Sequence, residues 1–140
     1  MNKLISLLFA MMLGLMMVSC GKKEPNELIG LGKDTIKPGL TEVTFTKKGG
    51  SMDIPTASDG WWVNQQLKIG DRYLYVGKEL KEIKDKQRRP IGYEGEFGKV
   101  IKKGNLLHIE INSKESNERR EYTVYLQDGN FFTSLKLIHQ

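Results

Sequence analysis

Between Leu107 and Leu137 the apolar side chains recur at every second position: Leu107, Ile109 and Ile111, then Tyr122, Val124 and Leu126, then Leu135 and Leu137. A period of two fits a strand with one face on a core and one face in water, and it excludes an amphipathic helix over the same stretch. Asp128-Gly129 lies between the last two runs, and that dipeptide favours a two-residue hairpin turn. The same pattern is found upstream. Val43 and Phe45 alternate with Thr44 and Thr46, Lys47-Lys48-Gly49-Gly50 breaks the run, and Met52 and Ile54 alternate around Asp53 before Pro55. Asp59-Gly60 precedes Trp61-Trp62-Val63, and Gly70-Asp71 precedes Tyr73-Leu74-Tyr75-Val76. Short strands separated by turn signals predict an antiparallel β-sandwich of about seven or eight strands over residues 41–140.

Lys78 to Arg89 departs from this pattern. It carries six basic and three acidic residues, net +3. Leu80 and Ile83 share a helical face, and Glu82 precedes Lys86 by four positions. We read the stretch as a long charged loop between strands, with one short helix as the alternative, ended in either case by Pro90. Its charge suits an acidic glycan, an anionic lipid or lipopolysaccharide, or simply a solvated loop.

The beginning of the chain is of another kind. Met1 to Ser19 holds 14 apolar residues of 19, against 39 of 120 in Gly21 to Gln140. Lys3 is the sole early charge, and Leu4 to Val18 is interrupted only by Ser6 and Gly14. A helix of 15 residues rises about 22 Å, short of a bilayer's hydrocarbon span of about 30 Å and right for the core of a signal peptide. The run stops at Val18-Ser19-Cys20, the only cysteine in the chain. A lone cysteine excludes an internal disulfide and a multi-cysteine metal site. These residues resemble a bacterial lipoprotein signal, which implies cleavage before Cys20 and acylation of that residue. Several acyl chains, each buried CH₂ adding about 0.8 kcal/mol, hold a protein on a membrane. Residues 1–19 are therefore expected to be a cleaved leader, and 20–40, polar and rich in glycine and proline, a lipidated cysteine with a flexible tether.

A second resemblance covers roughly Thr41 to Gln140. Gly104-Asn105 leads into Leu106 to Asn112, Asn117-Glu118-Arg119-Arg120 into Tyr122-Thr123-Val124, and Gly129-Asn130 into a last strand ending Leu137-Ile138-His139-Gln140. Gly49-Gly50 and Gly60-Trp61-Trp62-Val63 stand upstream. In that order they resemble the BACON-type immunoglobulin-like domain of Bacteroidetes lipoproteins. Phe97 stands where that family has a second tryptophan. The resemblance implies an immunoglobulin-like sandwich and a carbohydrate- or mucin-binding role.

Neighbouring residues on a strand point to opposite faces. With Trp61 and Val63 inward, Trp62 and Asn64 point outward; with Leu74 and Val76 inward, Tyr73 and Tyr75 point outward. Pairing of the two strands as a hairpin makes Trp62, Tyr73 and Tyr75 one outward strip. Aromatic faces suit the C–H face of a sugar ring, and Asn64, Gln66 and Arg72 would supply hydrogen bonds to its hydroxyls. The competing reading is that residues 78–95 or the tether cover the strip. His108 and Glu110, two apart on one face, read as surface neighbours. Glu94 and Glu96 have the spacing of a carboxylate pair on a body that offers little cleft. The chain has no Gly-flanked nucleophilic serine and no phosphate loop.

These features predict a non-enzymatic, lipid-anchored envelope binding module without cofactor or metal. Its partners would be the membrane, through acylated Cys20, and a glycan or an envelope protein. A structural spacer or accessory interaction domain is the alternative. Nucleic acid is not expected as a partner. Lys22-Lys23-Glu24 after the cysteine favours an outer-membrane lipoprotein facing the periplasm over one on the cell surface.

Overall fold

The structure is a computed structural model and describes residues 33–140. The leader, Cys20 and the first part of the expected tether lie outside the described residues. Ten strands are present: β1 (Glu42–Phe45), β2 (Gly50–Pro55), β3 (Trp62–Ile69), β4 (Arg72–Tyr75), β5 (Lys81–Lys84), β6 (Pro90–Gly95), β7 (Gly98–Lys103), β8 (Leu106–Ile111), β9 (Arg120–Asp128) and β10 (Phe131–His139). They form two five-stranded sheets, ordered β1-β10-β9-β3-β4 and β2-β8-β7-β6-β5. All pairings are antiparallel except that of β1 with β10. Three neighbouring strands of one sheet, β10-β9-β3, and three of the other, β2-β8-β7, have the strand order of an immunoglobulin-like sandwich.

The alternation identified in the sequence sets the two inner faces. Val63, Leu67, Tyr122, Val124, Leu126, Leu135 and Leu137 come from the first sheet. Ile54, Tyr93, Val100, Leu107, Ile109 and Ile111 come from the second. All are buried in one core. Each large apolar side chain so placed contributes about 1.5–3 kcal/mol relative to exposure. Phe97, in the expected aromatic role, packs between Tyr93 and Tyr122 at centroid distances of 6.0 and 5.7 Å.

The sandwich has ten strands, more than the seven or eight expected, and the surplus lies around the charged stretch. Residues 78–89 form neither a loop nor a helix. Lys81 to Lys84 is edge strand β5, and residues 85–89 turn into β6. Only Ile83 is apolar in β5, so its alternation gives little signal. In β6 and β7 glycines interrupt the pattern for a packing reason. An added Cβ at Gly92 would lie 1.9 Å from the Val100 carbonyl oxygen, and one at Gly98 1.9 Å from that of Glu110.

The domain also begins before residue 41. Ile36 is fully buried in the core, and its carbonyl accepts a hydrogen bond from the Ala57 amide. The Asp34 carboxylate accepts from the amides of Ile36 and Lys37, fixing the entry of the chain. A tether running to residue 40 is thus corrected: from Asp34 onward the segment is part of the body.

Trp61 and Trp62 look in opposite directions. Trp61 is 1% exposed, and its indole N–H donates to the Thr56 hydroxyl and the Ser58 carbonyl, both at 2.8 Å. The Lys102 ammonium sits 5.4 Å above its ring. Trp62 is 42% exposed. Trp61→Ala is expected to lower the unfolding free energy in urea by about 3–5 kcal/mol, and Trp62→Ala by less than about 1 kcal/mol. Equal losses would mean that both rings are core.

At the other end of the chain His139 is buried in β10. Its Nε2 is 3.3 Å from the Lys47 carbonyl oxygen, and its Nδ1 has no partner among the described residues. Burial holds its pKa below the ordinary 6.5, against the raising effect of the Lys47 carbonyl, with Lys114 and Arg120 adding to the depression. The neutral ring therefore stabilises the fold above that value. The contribution is lost as pH falls from 6.5 through the lowered folded value, because the unfolded chain takes up the proton first. The melting temperature should drop between about pH 7.5 and pH 5.5, and His139→Gln should shrink that drop. An unchanged drop in the variant would assign it to other groups.

Candidate functional site

The two sheets present different outer faces to solvent. On the β2-β8-β7-β6-β5 sheet the register lines up Lys81, Glu94, Lys99 and Glu110 across four strands. Lys81 pairs with Glu94 at 3.8 Å and Lys99 with Glu110 at 2.7 Å. His108 lies 2.6 Å from Asp53 and 3.5 Å from Glu110. This is a ladder of cross-strand partners, each exposed pair worth about 0–1 kcal/mol. His108 and Glu110 are indeed surface neighbours. Glu94 is turned to Lys81 and lines a groove of about 430 Å³ with Lys99 and Glu110, and Glu96 is not part of that lining. No group of three His, Cys, Asp or Glu side chains placed to hold a metal occurs among the described residues.

The outer face of the other sheet is aromatic. β3 and β4 pair as a hairpin in which Tyr75 lies opposite Gln66 and Tyr73 opposite Lys68. The two tyrosine rings stack at 6.4 Å with 26° between planes. The Lys68 and Lys78 ammonium groups lie 5.7 and 5.6 Å from the centroids of Tyr73 and Tyr75. On the same face Trp62 is opposite Gln127 of β9, and Gln127 is opposite Phe132 of β10. Trp62, Tyr73, Tyr75 and Phe132 are four of the six large apolar side chains exposed among the described residues.

A bulge decides how these rings are spaced. Four steps along β3, from Val63 to Leu67, run beside two along β9, from Leu126 to Val124. Trp62 and Gln66 therefore stand about two β9 steps apart, roughly 7 Å, where a regular strand would set them about 13 Å apart. Tyr125 of β9 stands level with Gln66. Burial, and then a hydrogen bond shared with the Tyr73 hydroxyl, raise its phenol pKa. Tyr125 and Phe132 thus complete a face for which sequence reasoning proposed only Trp62, Tyr73 and Tyr75.

The polar members divide. The Asn64 side-chain amide donates to the Gln127 side chain at 3.1 Å, and Gln127 donates in turn to the Gly129 carbonyl at 3.0 Å. Both amides are held beside Trp62. Arg72 does not join the face. It lies opposite Ile69 and shares the parity of buried Leu74, so it leaves the strand on the side away from Tyr73 and Tyr75.

Residues 78–95 do not cover Trp62; the β5–β6 hairpin flanks it. Two grooves meet at the indole. One of about 410 Å³ is lined by Trp62, Asn64, Gln65, Pro90 and Gln127. The other, of about 690 Å³, runs between Trp61, Trp62 and the hairpin tip. Asp85 builds that tip. Its carboxylate accepts from the amides of Gln87 and Arg89 and from the Arg89 guanidinium, at 2.9, 2.9 and 2.8 Å. These bonds hold its pKa below the usual carboxylate value.

An aromatic outer face with amides and grooves beside it, carried on a rigid immunoglobulin-like sandwich, defines a β-sandwich presenting a sheet-face surface. No protein-family model matches the chain, and no curated protein matches it. An NMR structure of a protein from Bacteroides thetaiotaomicron is similar, at 21% identity over 86% of this chain and 96% of that one, with a TM-score of 0.60. At that identity the likeness is one of fold.

Proposed function

We propose that this chain is a lipid-anchored, non-enzymatic binding module of the bacterial envelope whose outer β1-β10-β9-β3-β4 face takes a carbohydrate. The observation that carries the reading is the clustering of Trp62, Tyr73, Tyr75 and Phe132 on one sheet face, exposed and flanked by amides. Ring faces pack on the C–H faces of sugars, and the Asn64 and Gln127 amides offer directional contacts to hydroxyls. The faces differ in a way that supports this assignment, since the opposite sheet spends its polar groups on one another. A sandwich likeness to a Bacteroides protein is in keeping with a BACON-like domain. The carboxylates with glycosidase spacing do not share a groove: Glu94 lines one of about 430 Å³ whose lining does not include Glu96, and Glu94 is spent on Lys81, which supports binding over hydrolysis.

The anchor belongs to the same proposal. The apolar leader and Cys20 support an outer-membrane lipid anchor, and Lys22-Lys23-Glu24 supports one facing the periplasm, with the cell surface as the alternative. A second reading, docking on an envelope protein, is favoured by Phe132, which is 55% exposed and offers no hydrogen-bonding group.

The full chain, purified in detergent, should be retained on a glycan array. Trp62→Ala should reduce retention at least tenfold with a melting temperature within about 2 °C of wild type. A parallel loss of folding would return Trp62 to the core. Absence of glycan retention together with capture of an envelope protein would favour the docking reading. Cys20→Ser should abolish incorporation of labelled palmitate and release the protein from the membrane fraction. Unchanged labelling would remove the anchor.

A further inference from the structure

The groove between Trp62 and the β5–β6 tip holds charge in an arrangement unlike that of the opposite face. Its lining includes Lys86, Arg89 and Lys102 together with Asp59 and Asp85. Arg89 is matched by Asp85, whose carboxylate is also committed to two amides of the turn. Lys102 is half-buried. Its ammonium lies over the Trp61 ring and donates to the carbonyl of Asp59, a neutral acceptor. Among the described residues neither Lys86 nor Lys102 has a carboxylate within ion-pair distance, whereas Lys81 and Lys84 of β5 and Lys99 of β7, in the same sheet, are each paired. A half-drained ammonium without a counter-charge favours an anion beside it.

We infer that this groove is an anionic subsite, and that the glycan taken by the aromatic face is an acidic one carrying carboxylate or sulfate on the ring that packs against Trp62. The inference rests on the carbohydrate reading above. Trp62 and Pro90 line both grooves, so a sugar stacked on the outer side of the indole carries a ring substituent over its edge toward Lys86 and Lys102. A volume of about 690 Å³ admits a monosaccharide unit with its charged group. Asp59 is the one lining carboxylate without an ion-pair partner, and it opposes such a ligand.

The test is retention of the full chain on an array of uronic-acid, sialylated and sulfated glycans beside their neutral counterparts. Acidic members should be held at least tenfold more tightly than the neutral ones. Lys86→Gln, at an exposed and unpaired position, should remove most of that difference and leave neutral binding unchanged. Asp59→Asn should act in the opposite sense and strengthen acidic binding. Trp62→Ala should reduce both. Neutral glycans held as well as acidic ones, or indifference to Lys86→Gln and Asp59→Asn, would overturn the acidic subsite and leave the carbohydrate reading standing. No retention of any glycan would overturn both. Displacement of the acidic glycan by an equal concentration of inorganic sulfate would reduce the groove to a free-anion site and overturn the inference.

Discussion

The indole N–H of Trp61 is the contact on which the arrangement of the outer surface depends. A buried indole requires an acceptor, and here it has two, the Thr56 hydroxyl and the Ser58 carbonyl. The Thr56 hydroxyl in turn lies within hydrogen-bond distance of the Asn105 and Ser58 carbonyls, so the loop entering β3 is tied to the turn before β8. Once Trp61 is held inward, the pleat leaves Trp62 no choice but the outer face. A slip of one residue would strand the Trp61 N–H in water and drive the larger part of β3's apolar set outward. The register that builds the core therefore also sets the position of the exposed ring.

The same economy separates the two faces. The first sheet ends on β4, whose outer side carries Tyr73 and Tyr75 under Lys68 and Lys78. The second ends on β5, Lys81-Glu82-Ile83-Lys84, a short strand with three charged side chains. Charged, short edge strands resist pairing with other chains. The charges of β5 and the rest of its sheet are largely turned on one another, while the aromatic face is left unpaired and its cations rest on rings.

How far the sequence disclosed this depends on where each signal is local. Strands with strict alternation, β1, β8, β9 and the second half of β10, are legible because burial of one face leaves its period in the residues. β5, β6 and β7 are not, since their positions are chosen for edge charge or for close backbone approach at Gly92 and Gly98. Ile36 is one apolar residue in a polar segment, and a single residue has no period. Arg72 was legible and misassigned: counting from inward Leu74 gives it the inner side. Phe132 was also within reach, because counting back from inward Leu137 and Leu135 gives it the outer side; its partner Gln127 follows from a turn at Gly129-Asn130, one residue later than the Asp-Gly signal suggests. That Gln127 faces Trp62 was not, because β3 and β9 are far apart in sequence and their pairing passes through a bulge.

That bulge links fold to surface. Without it β3 and β9 would pair evenly, and the indole and the two tyrosines would stand at opposite ends of the hairpin. With two residues taken out of the ladder, Asn64 is free to bond Gln127 rather than to fill a regular outward slot. Tyr125 then stands level with Gln66, its hydroxyl sharing a hydrogen bond with that of Tyr73. Bulges raise local twist and re-aim side chains next to sites, and this one draws rings from three strands onto a single patch. A face of scattered aromatics needs no explanation beyond the surface statistics of folded proteins. One assembled by a backbone irregularity, at the point where two grooves converge, is the arrangement on which the proposed glycan face depends.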